Sequence, residues 1–127
     1  MAEGKSYYSI GKVSTLCCVP IKTLRYYDKI GLLVPEYRKD ESNYRYYTQD
    51  QILTLFIIRK LRLLGIPLKE IHQIISTRDS GAMGKCIQER LVEIQQAIED
   101  LNNQYSEGKM LLDRLNMGHN ILETGHS

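Results

Sequence analysis

The stretch YSIGKVSTLCCVPIKTLRYYDKIGLL, Tyr8 to Leu33, decides the fold. Ser9 offers a side-chain oxygen to cap a helix, and Ile10, Val13 and Leu16 recur at i, i+3 and i+6 to give that helix one apolar face. Cys17, Cys18 and Val19 predict a short turn. Pro20 has no backbone donor to lose at a helix start, so a second helix is predicted from there to about Lys29, burying Ile21, Leu24 and Tyr27. Gly31 ends it, because glycine enters the left-handed region at little steric cost. Two short helices joined by a tight turn form a helix-turn-helix unit.

The surface left on the second helix carries Lys22, Thr23, Arg25, Tyr26 and Lys29. These side chains carry donors of the kind that can reach phosphates or base edges, and the single acidic residue Asp28 does not cancel their charge. Working outward, Met1 to Tyr7 reads as a loosely held arm. On the other side, Tyr37 and Arg38 enter the turn-forming run Asp40 to Asn43, and Tyr44 to Tyr47 leave it, with aromatic residues favoured in strands. A small hairpin wing follows from that pattern, with Arg38, Lys39 and Arg45 available to a phosphate backbone.

Thr48 and Gln51 have capping-box spacing, and Ile52, Leu55, Phe56, Arg59 and Leu63 carry a helix to Leu64. Gly65 stops that helix, and Pro67 starts another that carries Leu68, Ile71, Ile74 and Ile75 to about Thr77. This pair supplies the apolar surface on which the helix-turn-helix builds its core. Asp79, Ser80 and Gly81 read as a linker. Beyond it Ile87, Leu91, Ile94, Ile98, Leu101, Tyr105, Gly108, Leu112 and Leu115 alternate spacings of four and three, an unbroken heptad register. So small a head cannot cover a stripe that long, so a second copy of the helix is the expected partner. Residues 82–116 would span roughly 50 Å as a helix, and the spacing leaves parallel and antiparallel pairing open. Residues 117–127 read as a flexible tail. The resulting domains are a head over 1–78, linker and dimerisation helix over 79–116, then that tail.

The 127 residues carry a formal charge of only +2, but its distribution is uneven. Residues 1–70 hold twelve Lys or Arg against seven Asp or Glu, while residues 71–127 hold five against eight. A basic front and an acidic back suit a protein that presents one end to a polyanion. Most of the nine tyrosines crowd into the front half, with pairs at Tyr7-Tyr8, Tyr26-Tyr27 and Tyr46-Tyr47. Tyr7, Tyr8, Tyr46 and Tyr47 are read as packing the wing and first helix onto the head rather than as a stacking platform for single strands.

The blocks IKTLRYYDKIGLL (Ile21 to Leu33), NYRYYT (Asn43 to Thr48) and LGIPLKEI (Leu64 to Ile71), preceded by YSIGKVSTLCCVP, resemble in order the MerR family of bacterial transcriptional regulators. The likeness spans about residues 7–76 and is nearest to the multidrug and small-molecule-responsive group. It implies a winged helix-turn-helix head, a heptad helix that pairs antiparallel, and a homodimer on a palindromic promoter. It further implies activation by distorting an overlong spacer so that RNA polymerase reads both promoter elements. Deformation can change recognition at positions the protein never touches. By the same resemblance Arg25 is the recognition-helix arginine and Tyr26 a backbone contact. Arg45 is the wing arginine with Tyr44 near the phosphates, and Arg62, assisted by Lys60, is a further phosphate contact.

Three cysteines, two adjacent at Cys17 and Cys18, give no disulfide framework and no two-residue spacer for a zinc knuckle. Some metal-sensing relatives place a cysteine where Cys86 stands, but they also need cysteines after the helix, and none follows here. No metal or cofactor is therefore expected. No nucleophile, base and orienting residue form a catalytic set. No signal peptide or membrane span is visible, so the cytoplasm is the predicted setting. The chain leaves no room for the effector domain of drug-responsive relatives, so the expectation is either a fragment or a naturally short member that represses without a ligand or senses something through its tail. A coiled-coil protein that binds helices and not DNA is the rival class.

Overall fold

The computed structural model describes residues 6–39 and 44–124, with side chains as far as residue 118. The chain divides into two compact units at Gly84 and Lys85, one turn inside the last helix.

The first unit begins with strand β1 (Tyr7–Ser9), followed by helices α1 (Ile10–Cys17) and α2 (Ile21–Lys29). Ser9 caps α1 by accepting from the Lys12 amide at 3.2 Å. Its buried side chains are Ile10, Val13 and Cys17, so the face follows i, i+3, i+7 and the predicted Leu16 lies outside it, half exposed. Cys17 falls within the narrow arc set by Ile10 and Val13 along the helix, whereas Leu16 falls at its rim. Cys18 closes the helix in the left-handed region, and the Val19 amide donates to the Ser14 carbonyl. In α2 the buried residues are Leu24 and Tyr27; Ile21, in the exposed first turn, stays in solvent, contrary to the sequence reading.

Both glycine stops behave as predicted. Gly31 (φ 77°) and Gly65 (φ 85°) are left-handed. The amides of Gly31 and Leu32 donate to Asp28 and Tyr27 carbonyls, and those of Gly65 and Ile66 to Arg62 and Leu61. This paired pattern satisfies carbonyls that a helix end otherwise leaves open.

Strands β2 (Tyr37–Lys39) and β3 (Tyr44–Thr48) form the wing, but they are joined by β1. The sheet is antiparallel in the order β1-β3-β2, with Tyr8 opposite Tyr47 and Arg38 opposite Arg45. The predicted two-stranded wing is thus a three-stranded sheet, and Tyr7, read as part of a loose arm, is a strand residue. Tyr7, Tyr37 and Tyr46 form a chain of rings across it, each step 5.7 Å between centroids. The run Asp40 to Asn43 lies outside the described residues.

Helix α3 (Gln49–Leu63) starts at a complete capping box, with the Gln51 amide donating to Thr48 Oγ1 and Gln51 Oε1 accepting from the Thr48 amide. Its buried face is Ile52, Leu55, Ile58 and Leu61. Phe56 and Leu63, which the sequence reading placed on that face, are exposed, as are Leu53 and Ile57. Because α3 is apolar on two sides, packing against α1, α4 and β3 selects the inner face rather than periodicity alone. Helix α4 (Leu68–Thr77) buries Ile71 and Ile74, and Val13, Leu24, Tyr47, Leu55, Ile58 and Ile71 form a core without solvent contact.

Helix α5 runs from Ser80 to Thr124. Asp79 Oδ1 accepts from the Gly81 and Ala82 amides at 2.9 and 3.2 Å, so the predicted linker residues Ser80 and Gly81 form a capped first turn. Residues 117–124, read as a tail, continue the helix. Forty-five residues correspond to about 68 Å. Along the second unit Leu91, Ile98, Leu101, Tyr105, Leu112 and Leu115 are exposed, while Ile87 and Ile94 are partly covered. No helix among the described residues is long and apolar enough to cross a membrane.

Candidate nucleic-acid interface

The outer surface of α2 gathers Lys22, Arg25, Tyr26 and Lys29 in solvent, with Thr23 partly covered. Leu24 and Tyr27 hold the helix down on its opposite side, and the Tyr26 and Tyr27 rings lie 6.4 Å apart. Tyr27 is core, as read from the sequence. Among the described residues Lys22, Arg25 and Lys29 have no acidic side chain within ion-pair distance.

Asp28 behaves differently from the sequence reading. Its side chain is only 7% exposed and faces the wing. Arg38 Nη2 donates to both carboxylate oxygens at 2.6 and 2.7 Å, and Arg45 Nε donates to Oδ2 at 2.8 Å. Arg38 and Arg45 were expected to be open to phosphates, but each has one nitrogen engaged by this carboxylate. A guanidinium carries five N–H donors, so both retain donors for a further acceptor. Lys39 and Tyr44, at the outer end of the strands, are exposed. Lys60 and Arg62 are exposed in the last turn of α3, beside Phe56, Arg59 and Leu63. The structure therefore joins the α2 and wing candidates through one acidic residue and leaves the α3 pair on a separate element.

A second tie holds the segment that enters the wing. Gln51 Oε1 accepts from the Glu36 amide at 3.1 Å, and Gln51 Nε2 donates to the Val34 carbonyl. Beneath the sheet Tyr47 is fully buried, and its hydroxyl has no hydrogen-bond partner among the described residues. Burial, reinforced by the negative charge of Asp28 and opposed by Arg45 and Arg38, pushes its phenol up to about 12. Burial likewise raises the Cys17 thiol above its ordinary value, which disfavours the reactive thiolate. Cys86 is also buried, and Cys18 is exposed. Among the described residues no three His, Cys, Asp or Glu side chains converge as metal ligands.

A basic, outward-facing helix tied to a hairpin wing is the geometry of a winged helix-turn-helix head. Residues 8–77 match the MerR HTH family regulatory protein, and residues 52–107 match the family's second pattern, described as MerR, DNA binding. The chain belongs to the MerR family of helix-turn-helix transcriptional regulators.

Among curated relatives, the multidrug-efflux transporter 1 regulator of Bacillus subtilis is 52% identical over 69 residues, 54% of this chain and 25% of that protein. The multidrug-efflux transporter 2 regulator of the same organism is 35% identical over 123 residues, 97% of this chain and 44% of that protein. The chain thus spans less than half the length of these relatives. A cryo-electron-microscopy structure of an EcmrR–DNA complex is similar with a TM-score of 0.67 and 39% identity, over 84% of this chain and 39% of the other.

Proposed function

We propose that the chain binds a palindromic promoter duplex as a homodimer, with two heads held apart by antiparallel pairing of α5. The observation that carries this reading is the α2 surface of Lys22, Arg25 and Tyr26, solvent-facing, with Thr23 partly covered beside them, tied to the wing through Asp28. Arg25 reads a base pair in the major groove. Tyr26, the wing residues Arg38, Lys39, Tyr44 and Arg45, and the α3 residues Lys60 and Arg62 take phosphates, which position the head without specifying sequence. Similarity to a protein solved as a DNA complex supports the assignment. The exposed heptad residues Leu91, Ile98, Leu101, Tyr105, Leu112 and Leu115, with Ile87 and Ile94, form the dimer seam. Activation follows from distortion of the promoter spacer, which brings its two elements into register for RNA polymerase.

Fluorescence anisotropy at fixed physiological salt, comparing the duplex upstream of the chain's own gene with a scrambled duplex of equal composition, tests recognition. A tenfold preference is about 1.4 kcal/mol. Arg25→Ala is expected to lose roughly 1–3 kcal/mol of that preference, and Arg62→Ala to weaken both duplexes equally with a shallower salt dependence. Dimerisation with no salt-dependent affinity for a randomised duplex library overturns the reading in favour of a protein that binds other helices.

A further inference from the structure

We infer that Asp28 is a positioning residue for operator recognition: a nearly buried carboxylate whose two arginine partners set the wing against α2, so that base and phosphate contacts fall on DNA together. The inference rests on the proposed function for its DNA consequence, but the geometry stands without it. Arg38 and Arg45 are directly opposed on neighbouring strands. Like charges directly opposed across a sheet are destabilising. Asp28 reaches both from a different element, at 2.6 to 2.8 Å, and so converts a repulsive pair into a three-residue clamp.

Exposure grades outward through the clamp, with the Asp28 side chain at 7%, Arg45 at 21% and Arg38 at 38%. The carboxylate is therefore the inner anchor and the guanidiniums are the outward layer. A charge-assisted bond to a buried carboxylate fixes a guanidinium more firmly than solvent does. One negative charge against two positive leaves the wing cationic after the clamp has formed. Both arginines then approach a phosphate with fewer orientations to lose.

The sign of the mutational effect separates this role from a solvated acid. An acidic side chain that merely faced DNA would repel it, so its removal would tighten binding to every duplex. A positioning carboxylate gives the opposite result on the operator alone. In the full chain, Asp28→Asn is expected to cut the preference for the operator over a scrambled duplex at least tenfold, while affinity for the scrambled duplex stays equal or rises. Preference retained within twofold overturns the inference.

Amide hydrogen exchange on the free protein provides the second arm. Asp28→Asn is expected to release the amides of Arg45 and Tyr46 in the wing, while those of Leu55, Ile58 and Ile71 keep their protection. Unchanged wing protection overturns the clamp, and loss of protection throughout the head overturns positioning in favour of general stabilisation. If the unmodified chain prefers no duplex, the proposed function fails, while the exchange arm still decides the clamp.

Discussion

In the head, Leu24, Leu55, Ile58 and Ile71 have no solvent contact, whereas along α5 Leu101 and Tyr105 stand 61% and 70% exposed. Both regions are rich in apolar residues, but the first closes them within one chain and the second leaves them exposed, most along the heptad stripe and others, such as Val92, Met110 and Leu111, beside it. The difference separates two uses of the hydrophobic effect. Burial inside the head stabilises the fold of one copy, and burial along the stripe becomes available only on association, when it contributes to affinity. Helix α3 carries apolar residues on both sides, with Ile52, Leu55, Ile58 and Leu61 inside and Leu53, Phe56, Ile57 and Leu63 outside.

The comparison breaks most readily at Leu55. Leu55→Ala is expected to lower the unfolding free energy of the head by about 2–5 kcal/mol, since the cavity adds to the lost transfer energy; urea denaturation followed by circular dichroism measures it. Leu101→Ala is expected to leave head unfolding unchanged and to weaken dimerisation by about 1.5–3 kcal/mol for each leucine that association buries, measured by sedimentation equilibrium. A fall in head stability instead would place the stripe among the internal contacts.

Alkali probes the inner side of the comparison. The Tyr47 phenol is pushed up to about 12 by burial, while an unfolded chain ionises near the ordinary value of about 10. Its contribution is fully present below the unfolded value and is lost as pH rises from about 10 to about 12, because the unfolded state gives up its proton first. The loss is on the order of 2 kcal/mol, and Tyr47→Phe is expected to remove that part of the pH slope in denaturation curves. Removing the capping hydroxyl with Thr48→Ala is expected to cost about 1 kcal/mol, read as a lower Tm. The smallest effect belongs to the solvated face of α5, where Glu93 and Arg90 pair at 3.1 Å. Glu93→Ala is expected to change the helicity of α5 by no more than about 0.5 kcal/mol, checked by circular dichroism.

What the sequence made legible is local. Ser9 and Thr48 as caps, Gly31 and Gly65 as stops, and the heptad of α5 each depend on residues within a turn or two, and each appears where the spacing puts it. The MerR blocks likewise located the second helix of the helix-turn-helix and the wing. What remained hidden is nonlocal. Asp28 meets arginines ten and seventeen positions away, and nothing in the order of charges announces that contact. Strand β1 is three residues long, too short for alternation to show, and exists only through pairing with β3. The choices of Cys17 over Leu16 and of the inner face of α3 depend on which elements pack together.

Strand β1 also matters to the behaviour of the protein at high concentration. The sequence Tyr44-Arg-Tyr-Tyr-Thr48 combines β-branched and aromatic residues, the composition from which intermolecular β-stacking grows when an edge is free. β1 pairs Tyr46 to Thr48 on one side of β3 and β2 pairs Tyr44 to Tyr46 on the other, so each residue of that segment has a strand partner, and the outer strands measure only three residues each. Edges so short are poor templates for another chain. Three residues ahead of the first helix therefore cover Tyr46 to Thr48 on a side that a second chain could otherwise pair with.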